Sequence, residues 1–99
     1  MTINNTKTGN KVTISVSGRV DTNTAPELDK VVNGLIKDAS LLIFDLGGLE
    51  YISSSGLRVL LTAQKTMNRQ GSMKLVNVND TIMEILDITG FSDILTIEK

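Results

Sequence analysis

Three consecutive serines, Ser53, Ser54 and Ser55, are the residues of this chain whose types and placement best suit regulatory chemistry. They lie where a strand and loop over residues 41–52 give way to a pattern typical of an amphipathic helix. A helix start leaves backbone N–H groups unpaired and carries partial positive charge, so a phosphate on one of these hydroxyls would be stabilised. The run is therefore a candidate switch. The alternative is that one serine caps the helix and the others face solvent, since serine is a common N-cap residue.

The side chains that most hydrolytic and metal-dependent enzymes use are absent from this sequence. It contains no histidine, the usual general base near neutral pH, and no cysteine. Without either residue a zinc site is disfavoured, and the serines lack a conventional activating base. Gly47 and Gly48 ahead of the serines resemble a phosphate-binding loop, but no Gly-Lys-Ser/Thr sequence follows. We expect a non-enzymatic protein with no catalytic residues, no metal and no cofactor.

Composition also narrows the class of partner. The formal net charge is −1, the lysines and arginines are scattered, and the aromatic residues are Phe44, Tyr51 and Phe91. Nucleic-acid binding needs a basic stripe or an aromatic platform, so we expect no direct nucleic-acid partner. The longest apolar run, residues 41–44, is too short to cross a bilayer, and residues 1–5 lack a signal-peptide pattern. The sequence predicts a cytoplasmic protein without membrane insertion.

Two kinds of periodicity predict the first elements. Residues 11–17 alternate polar and apolar side chains, which indicates a strand with one buried face. A turn signal precedes them, so residues 2–8 pair back as a hairpin strand. Thr24 to Glu27 matches a capping box, in which the Thr24 hydroxyl bonds a first-turn N–H, and a helical apolar stripe follows.

The middle of the chain predicts a buried strand followed by the second helix. Residues 41–44 are apolar without alternation, as in strands covered on both faces, and Gly47-Gly48 is expected to end this strand. The second helix follows the serines and stops before Gly71. Residues 73–78 then form the next strand.

The end of the chain completes an alternating pattern. Residues 79–81 offer competing caps for a third helix, which Gly90 ends as a left-handed cap, and residues 94–97 form a short final strand. The order is β-β-α-β-α-β-α-β. In a chain of 99 residues it predicts one α/β domain over residues 1–99, with a mixed four- to five-stranded sheet and about three helices.

Four segments in order carry a resemblance to a known family. They read GRVD over 18–21, FDL over 44–46, YISSSGLRVLL over 51–61 and ILDITGF over 85–91. Together they resemble the STAS family and, more narrowly, its stand-alone bacterial anti-sigma-factor antagonists. The resemblance covers nearly the whole chain and implies a single STAS-like domain with the STAS fold.

The resemblance implies a phosphorylation site at the serine before the glycine of the motif. That residue is Ser55 here, with Ser54 as second choice and as the expected helix cap. Ser53 stands where many members carry Asp. Arg58 stands where several members carry Gly, and at i, i+3 spacing it can pair with a phosphate on Ser55. Without such a phosphate, Arg58 is an ordinary solvated arginine.

The resemblance also implies the partners and the surface that meets them. An anti-sigma factor with Ser/Thr kinase activity binds the unmodified protein, which frees a sigma factor, and a Ser/Thr phosphatase reverses the modification. The expected partner-binding residues are Asp21, Thr22, Asn23 and Thr24 ahead of the first helix, and Ser53, Ser54, Gly56, Leu57 and Arg58 at the second. From the residues alone, Asp21 and Asn23 are better interpreted as turn formers than as the polar rim of a binding surface.

Two other functions stay open at this point. Ser53 in place of Asp favours a constitutive STAS-like adaptor subunit of a transport or sensory complex, which would use the same surface without phosphorylation. Direct nucleotide binding at the start of the second helix is a weaker alternative.

Overall fold

The computed structural model describes residues 1–98 and arranges five strands in one sheet. The strands are β1 (Thr2–Thr8), β2 (Lys11–Val20), β3 (Leu41–Ile52), β4 (Ser72–Val76) and β5 (Ile97–Glu98), and they lie side by side in chain order. β1 runs antiparallel to β2, because a tight turn joins them, whereas the other neighbouring strands are parallel. The predicted mixed sheet is confirmed.

Three helices connect the parallel strands within residues 1–98. α1 (Ala25–Leu35) joins β2 to β3, α2 (Ser54–Gln70) joins β3 to β4, and α3 (Asp80–Thr89) joins β4 to β5. Each connection moves one strand along the sheet in the same direction, so right-handed crossovers place all three helices on one face. The predicted order of strands and helices is confirmed.

Burial alternates along the central strands because the helices cover one face of the sheet. In β2 and β3 every second residue from Val12 to Val16 and from Leu42 to Leu46 is buried, and Phe44 is fully buried. Leu28 and Val32 of α1, with several apolar residues of α2 and α3, complete the same hydrophobic cluster. The residues between them on the strands face the open side and are half-buried.

The expected end of the buried strand at Gly47-Gly48 is wrong, because β3 continues to Ile52. The pairing with β2 shifts from Ser15↔Asp45 to Ser17↔Gly48, so β3 accommodates one extra residue there, as in a β-bulge. A Cβ on Gly48 would lie 2.7 Å from the Cβ of Ser17, so a glycine is needed for this close approach. Gly48 therefore lets β3 pass this irregularity, and after a second register shift at Gly18 and Arg19 the pairing continues to Val20 and Ile52.

Two smaller boundaries and one helix cap also differ from the sequence predictions. β4 spans Ser72–Val76 and stops before Asn77, whose φ of 56° breaks the extended conformation. Residues 91–93 form a 3₁₀ turn, which confines the final strand to Ile97–Glu98. α1 begins where expected, but the Thr24 side chain makes no capping hydrogen bond to the first turn. The predicted left-handed conformation of Gly90 is confirmed by its φ of 81°.

The end of α2 gives a direct test of the packing between the helix layer and the sheet. A Cβ on Gly71 would overlap the backbone of Ser40, whose carbonyl accepts a hydrogen bond from the Ser72 N–H at 3.0 Å. We expect Gly71→Ala to lower the free energy of unfolding by about 1–3 kcal/mol, since the backbone must shift. Urea denaturation measures this change.

Gly34→Ala is the matched control. Gly34 lies in α1 with open space around its Cβ position, so alanine is expected to raise stability by up to about 1 kcal/mol through helix propensity. Equal unfolding midpoints for the two variants would contradict the packing described for Gly71.

Candidate functional site

The serine run lies at the junction of β3 and α2, beside the end of β2. The Ser53 N–H donates to the Val20 carbonyl at 2.8 Å, which continues the pairing of Val20 with Ile52 by one residue. The Ser53 carbonyl then accepts from the Leu57 N–H at 2.9 Å. Ser53 therefore makes both the last hydrogen bond between β2 and β3 and the first hydrogen bond of α2.

Ser53, not Ser54, is the N-cap of α2. Ser53 has an extended backbone, and its Oγ accepts a hydrogen bond from the Gly56 N–H at 3.3 Å. The expectation that Ser54 is the cap is wrong because Ser54 is already the first helical residue. In the sequence, any of the three adjacent serines could cap the helix. The hydrogen bond from the Ser53 N–H to Val20 selects Ser53, because it holds the Ser53 backbone in the extended conformation of an N-cap.

Gly56 and Leu57 lie beneath the surface of the site. A Cβ on Gly56 would approach Cγ1 of Ile52 to 2.6 Å and Cγ1 of Val20 to 2.8 Å, so a larger residue would push the first turn of α2 away from the strands. Leu57 is 3% exposed and belongs to the hydrophobic core. These two predicted partner-binding residues position the site from below, whereas Ser54 and Arg58 are exposed.

The turn before α1 is held by hydrogen bonds between Asp21 and Thr24. One carboxylate oxygen of Asp21 accepts from the N–H of Asn23 at 2.9 Å and from the N–H of Thr24 at 3.0 Å. The Thr24 hydroxyl accepts from the Asp21 N–H at 2.8 Å and lies 3.2 Å from the same carboxylate oxygen. Asp21 and Thr24 therefore shape the turn, and Thr22 and Asn23 are its exposed residues.

These contacts keep Asp21 ionised. Its pKa lies below the ordinary value, mainly because the Thr24 N–H donates to the carboxylate, with further contributions from the Asn23 N–H, the Thr24 hydroxyl and the nearby Arg19 guanidinium. Partial burial acts in the opposite direction and is outweighed. The turn is most stable with a charged carboxylate.

A groove of about 480 Å³ brings Thr22 of the first predicted stretch together with Ser55 and Arg58 of the second, and the other predicted residues do not line it. Its α1 side is formed by Thr22, Ala25, Pro26, Asp29 and Asn33, and its α2 side by Ser55, Arg58, Val59 and Thr62. Six of these residues were missed by the sequence reasoning: Ala25, Pro26, Asp29, Asn33, Val59 and Thr62. The helical spacing could have indicated them, because residues 26, 29 and 33 share one face of α1 and residues 55, 59 and 62 share one face of α2.

Arg19 and Tyr51 lie side by side at the carboxyl ends of β2 and β3, next to the site. They are paired in register on β2 and β3, and the Arg19 guanidinium carbon lies 4.5 Å from the centre of the Tyr51 ring. Both residues belong to the segments that carried the family resemblance.

Across residues 1–98, no group of acidic side chains is arranged to hold a metal ion, and none of the helices has the length and apolar character that a membrane span requires.

Comparison with known proteins assigns this architecture to a family. The family model described as the STAS domain matches residues 2–99. The chain belongs to the STAS domain family. An anti-sigma-B factor antagonist of Bacillus subtilis (strain 168) is 32% identical over 89 residues, which cover 89% of this chain and 82% of that protein. This similarity places the STAS chain among the anti-sigma-factor antagonists.

Solved structures share the fold. An anti-sigma factor antagonist from Mycobacterium paratuberculosis superposes with a TM-score of 0.88 at 22% identity, over 98% of this chain and 84% of that one. The phosphorylated form of the Bacillus cell fate determinant SpoIIAA superposes with a TM-score of 0.77 at 17% identity, over 99% and 92%. The predicted STAS fold is confirmed.

The assignment of the cap is tested by replacing neighbouring serines. Ser53→Ala removes the acceptor for the Gly56 N–H and is expected to lower the free energy of unfolding by about 1 kcal/mol. Ser54→Ala, at an exposed position without such a bond, is expected to change it by less than about 0.5 kcal/mol. Urea denaturation of both variants decides the point, and a larger loss in Ser54→Ala would contradict the cap.

The lowered pKa of Asp21 predicts a pH-dependent contribution to stability. Because the folded-state pKa lies below the unfolded one, the ionised carboxylate stabilises the protein above about pH 4. This contribution is lost as the pH falls through the folded pKa. Asp21→Asn is therefore expected to unfold at a lower temperature than the parent at pH 7, by an amount that shrinks in acid. Thermal midpoints measured from pH 7 to pH 2 provide the check, and a pH-independent difference would count against it.

Proposed function

We propose that this anti-sigma-factor antagonist binds an anti-sigma factor that has Ser/Thr kinase activity, and thereby frees a sigma factor to direct transcription. The partner contacts the Asp21–Thr24 turn and the exposed side of the first turn of α2. The observation that carries the proposal is the groove, because it joins Thr22 of the turn to Ser55 and Arg58 of α2 in one surface. Binding of this kind needs no catalytic group, so the protein acts as a non-enzymatic module.

Ser55 is the proposed phosphate acceptor. It occupies the position before the glycine that the family motif favours, and it lines the groove as a half-buried residue. The Ser53 hydroxyl already accepts the capping bond from Gly56, and Ser54 does not line the groove. A kinase domain seated on the groove therefore meets the Ser55 hydroxyl directly.

Phosphorylation of Ser55 changes the charge of the groove and leaves the fold intact. The lining contains one cation, Arg58, and one carboxylate, Asp29, which balance each other. A phosphate adds about −1.5 to −2 charge and takes the chain from −1 to about −3. Negative charge at a helix N-terminus is itself stabilising by about 0.3–1 kcal/mol, so the helix survives. An acidic partner surface is then repelled, and a closely packed one no longer fits.

The switch is reset by a Ser/Thr phosphatase that removes the phosphate from Ser55. The cycle consumes ATP and ends at a transcription factor, so we place the protein in the cytoplasm. Nothing supports the alternative of a constitutive adaptor in a transport or sensory complex, since the relative with 32% identity is named an anti-sigma-B factor antagonist.

The acceptor is tested by incubating the protein with a candidate anti-sigma kinase and ATP, and by mapping phosphopeptides with mass spectrometry. We expect a single phosphate on Ser55, a loss of at least about tenfold in labelling for Ser55→Ala, and parent-like labelling for Ser54→Ala. Ser55→Ala is also expected to stay bound to the kinase in the presence of ATP, whereas the parent dissociates as it is modified.

Ser54→Ala is the matched control because it removes a neighbouring hydroxyl from the same turn. Undiminished labelling of Ser55→Ala, or a phosphate found on Ser54 alone, would overturn the assignment of Ser55.

A further inference from the structure

The groove contains a cation that the folded protein leaves unpaired. Arg58 is exposed on α2 and lines the groove together with Ser55. Across residues 1–98 the ion pair that forms is between Lys74 and Glu98 at 3.3 Å, so Arg58 has no carboxylate within pairing distance. The fold does not use this guanidinium, which leaves its donors free for another group.

The helix directs Arg58 toward Ser55. The two residues are three apart on α2, which places their side chains one above the other on the helix surface. Side chains in a helix lean toward its N-terminus, so the turn that holds Ser55 is within reach of the long Arg58 side chain. The planar guanidinium offers paired N–H donors, which match two oxygens of a phosphate.

We propose that Arg58 binds the phosphate of modified Ser55 and holds it inside the groove between α1 and α2. Arg58 is then a positioning residue that fixes where the added charge lies and shields it from a phosphatase. This inference deepens the proposed function and rests on it for the source of the phosphate, but the contact itself depends on residues of this chain alone.

Asp29 is the charged group that opposes this contact. It faces the groove from α1 and is the one carboxylate in the lining, while β2 and β3 contribute no charged residue to it. Its negative charge repels the phosphate and attracts Arg58. The phosphate prevails because it carries nearly two charges, lies on the same helix turn as Arg58, and is close to the free N–H groups of that turn.

The contact is tested on protein that carries phosphoserine installed at position 55 during translation, so no kinase is required. A ³¹P NMR titration gives the second pKa of the phosphate, which is about 6 for an unperturbed phosphoserine. A neighbouring cation favours the dianion, so we expect this pKa to be lower in the parent than in Arg58→Gln by about 0.5–1 unit. A broad-specificity phosphatase should also release phosphate several-fold faster from Arg58→Gln.

Arg69→Gln is the matched control, because it removes an exposed arginine from the same helix at about 16 Å from Arg58. It is expected to leave both the titration and the rate of phosphate release at parent values. Equal pKa values for the parent and Arg58→Gln, or an equal rise in Arg69→Gln, would overturn the proposal. Because the phosphate is installed directly, either outcome is independent of whether a kinase modifies Ser55.

Discussion

The structure of the site depends on the contact of the first turn of α2 with the ends of β2 and β3. Gly56 has no side chain, so the turn lies directly on Val20 and Ile52. The Ser53 N–H bonds to the Val20 carbonyl, and the Ser53 hydroxyl caps the helix that follows. This one junction fixes where α2 starts and which serines reach the surface.

The order of elements was predictable because each has a local signal. Alternation identified β2, helical stripes identified α1 and α2, and Gly90 marked the end of α3. The continuation of β3 beyond Gly47 and Gly48 was not predictable in this way. Those glycines are ordinary turn formers in isolation, and their role depends on the close approach of Ser17 from a neighbouring strand.

The same distinction applies to the candidate site. The motif pointed to the serine run and to the turn at Asp21, but three adjacent serines offer equivalent local caps. The sheet bond to Val20 decides among them, and it forms between segments that are distant in sequence. Asp29 was missed for a similar reason, since a helical face becomes part of a groove once a second helix lies beside it.

This arrangement separates the function of the serines from the stability of the fold. Ser53 holds the helix start, while Ser55 faces a groove whose lining carries balanced charges. In the proposed switch, a modification at Ser55 changes the electrostatics of a surface that Gly56 and Leu57 support from below. The proposed switch therefore requires a change of surface charge but no change of backbone conformation.

The most direct test of this account compares ¹H–¹⁵N correlation spectra of the protein with unmodified Ser55 and with phosphoserine at that position. We predict shift changes confined to the first turn of α2, the Asp21–Thr24 turn and the face of α1 that borders the groove. Resonances of β1, β4 and α3 should keep their positions. Changes spread across those elements, or a loss of dispersion, would show that phosphorylation acts by altering the fold and would contradict the account.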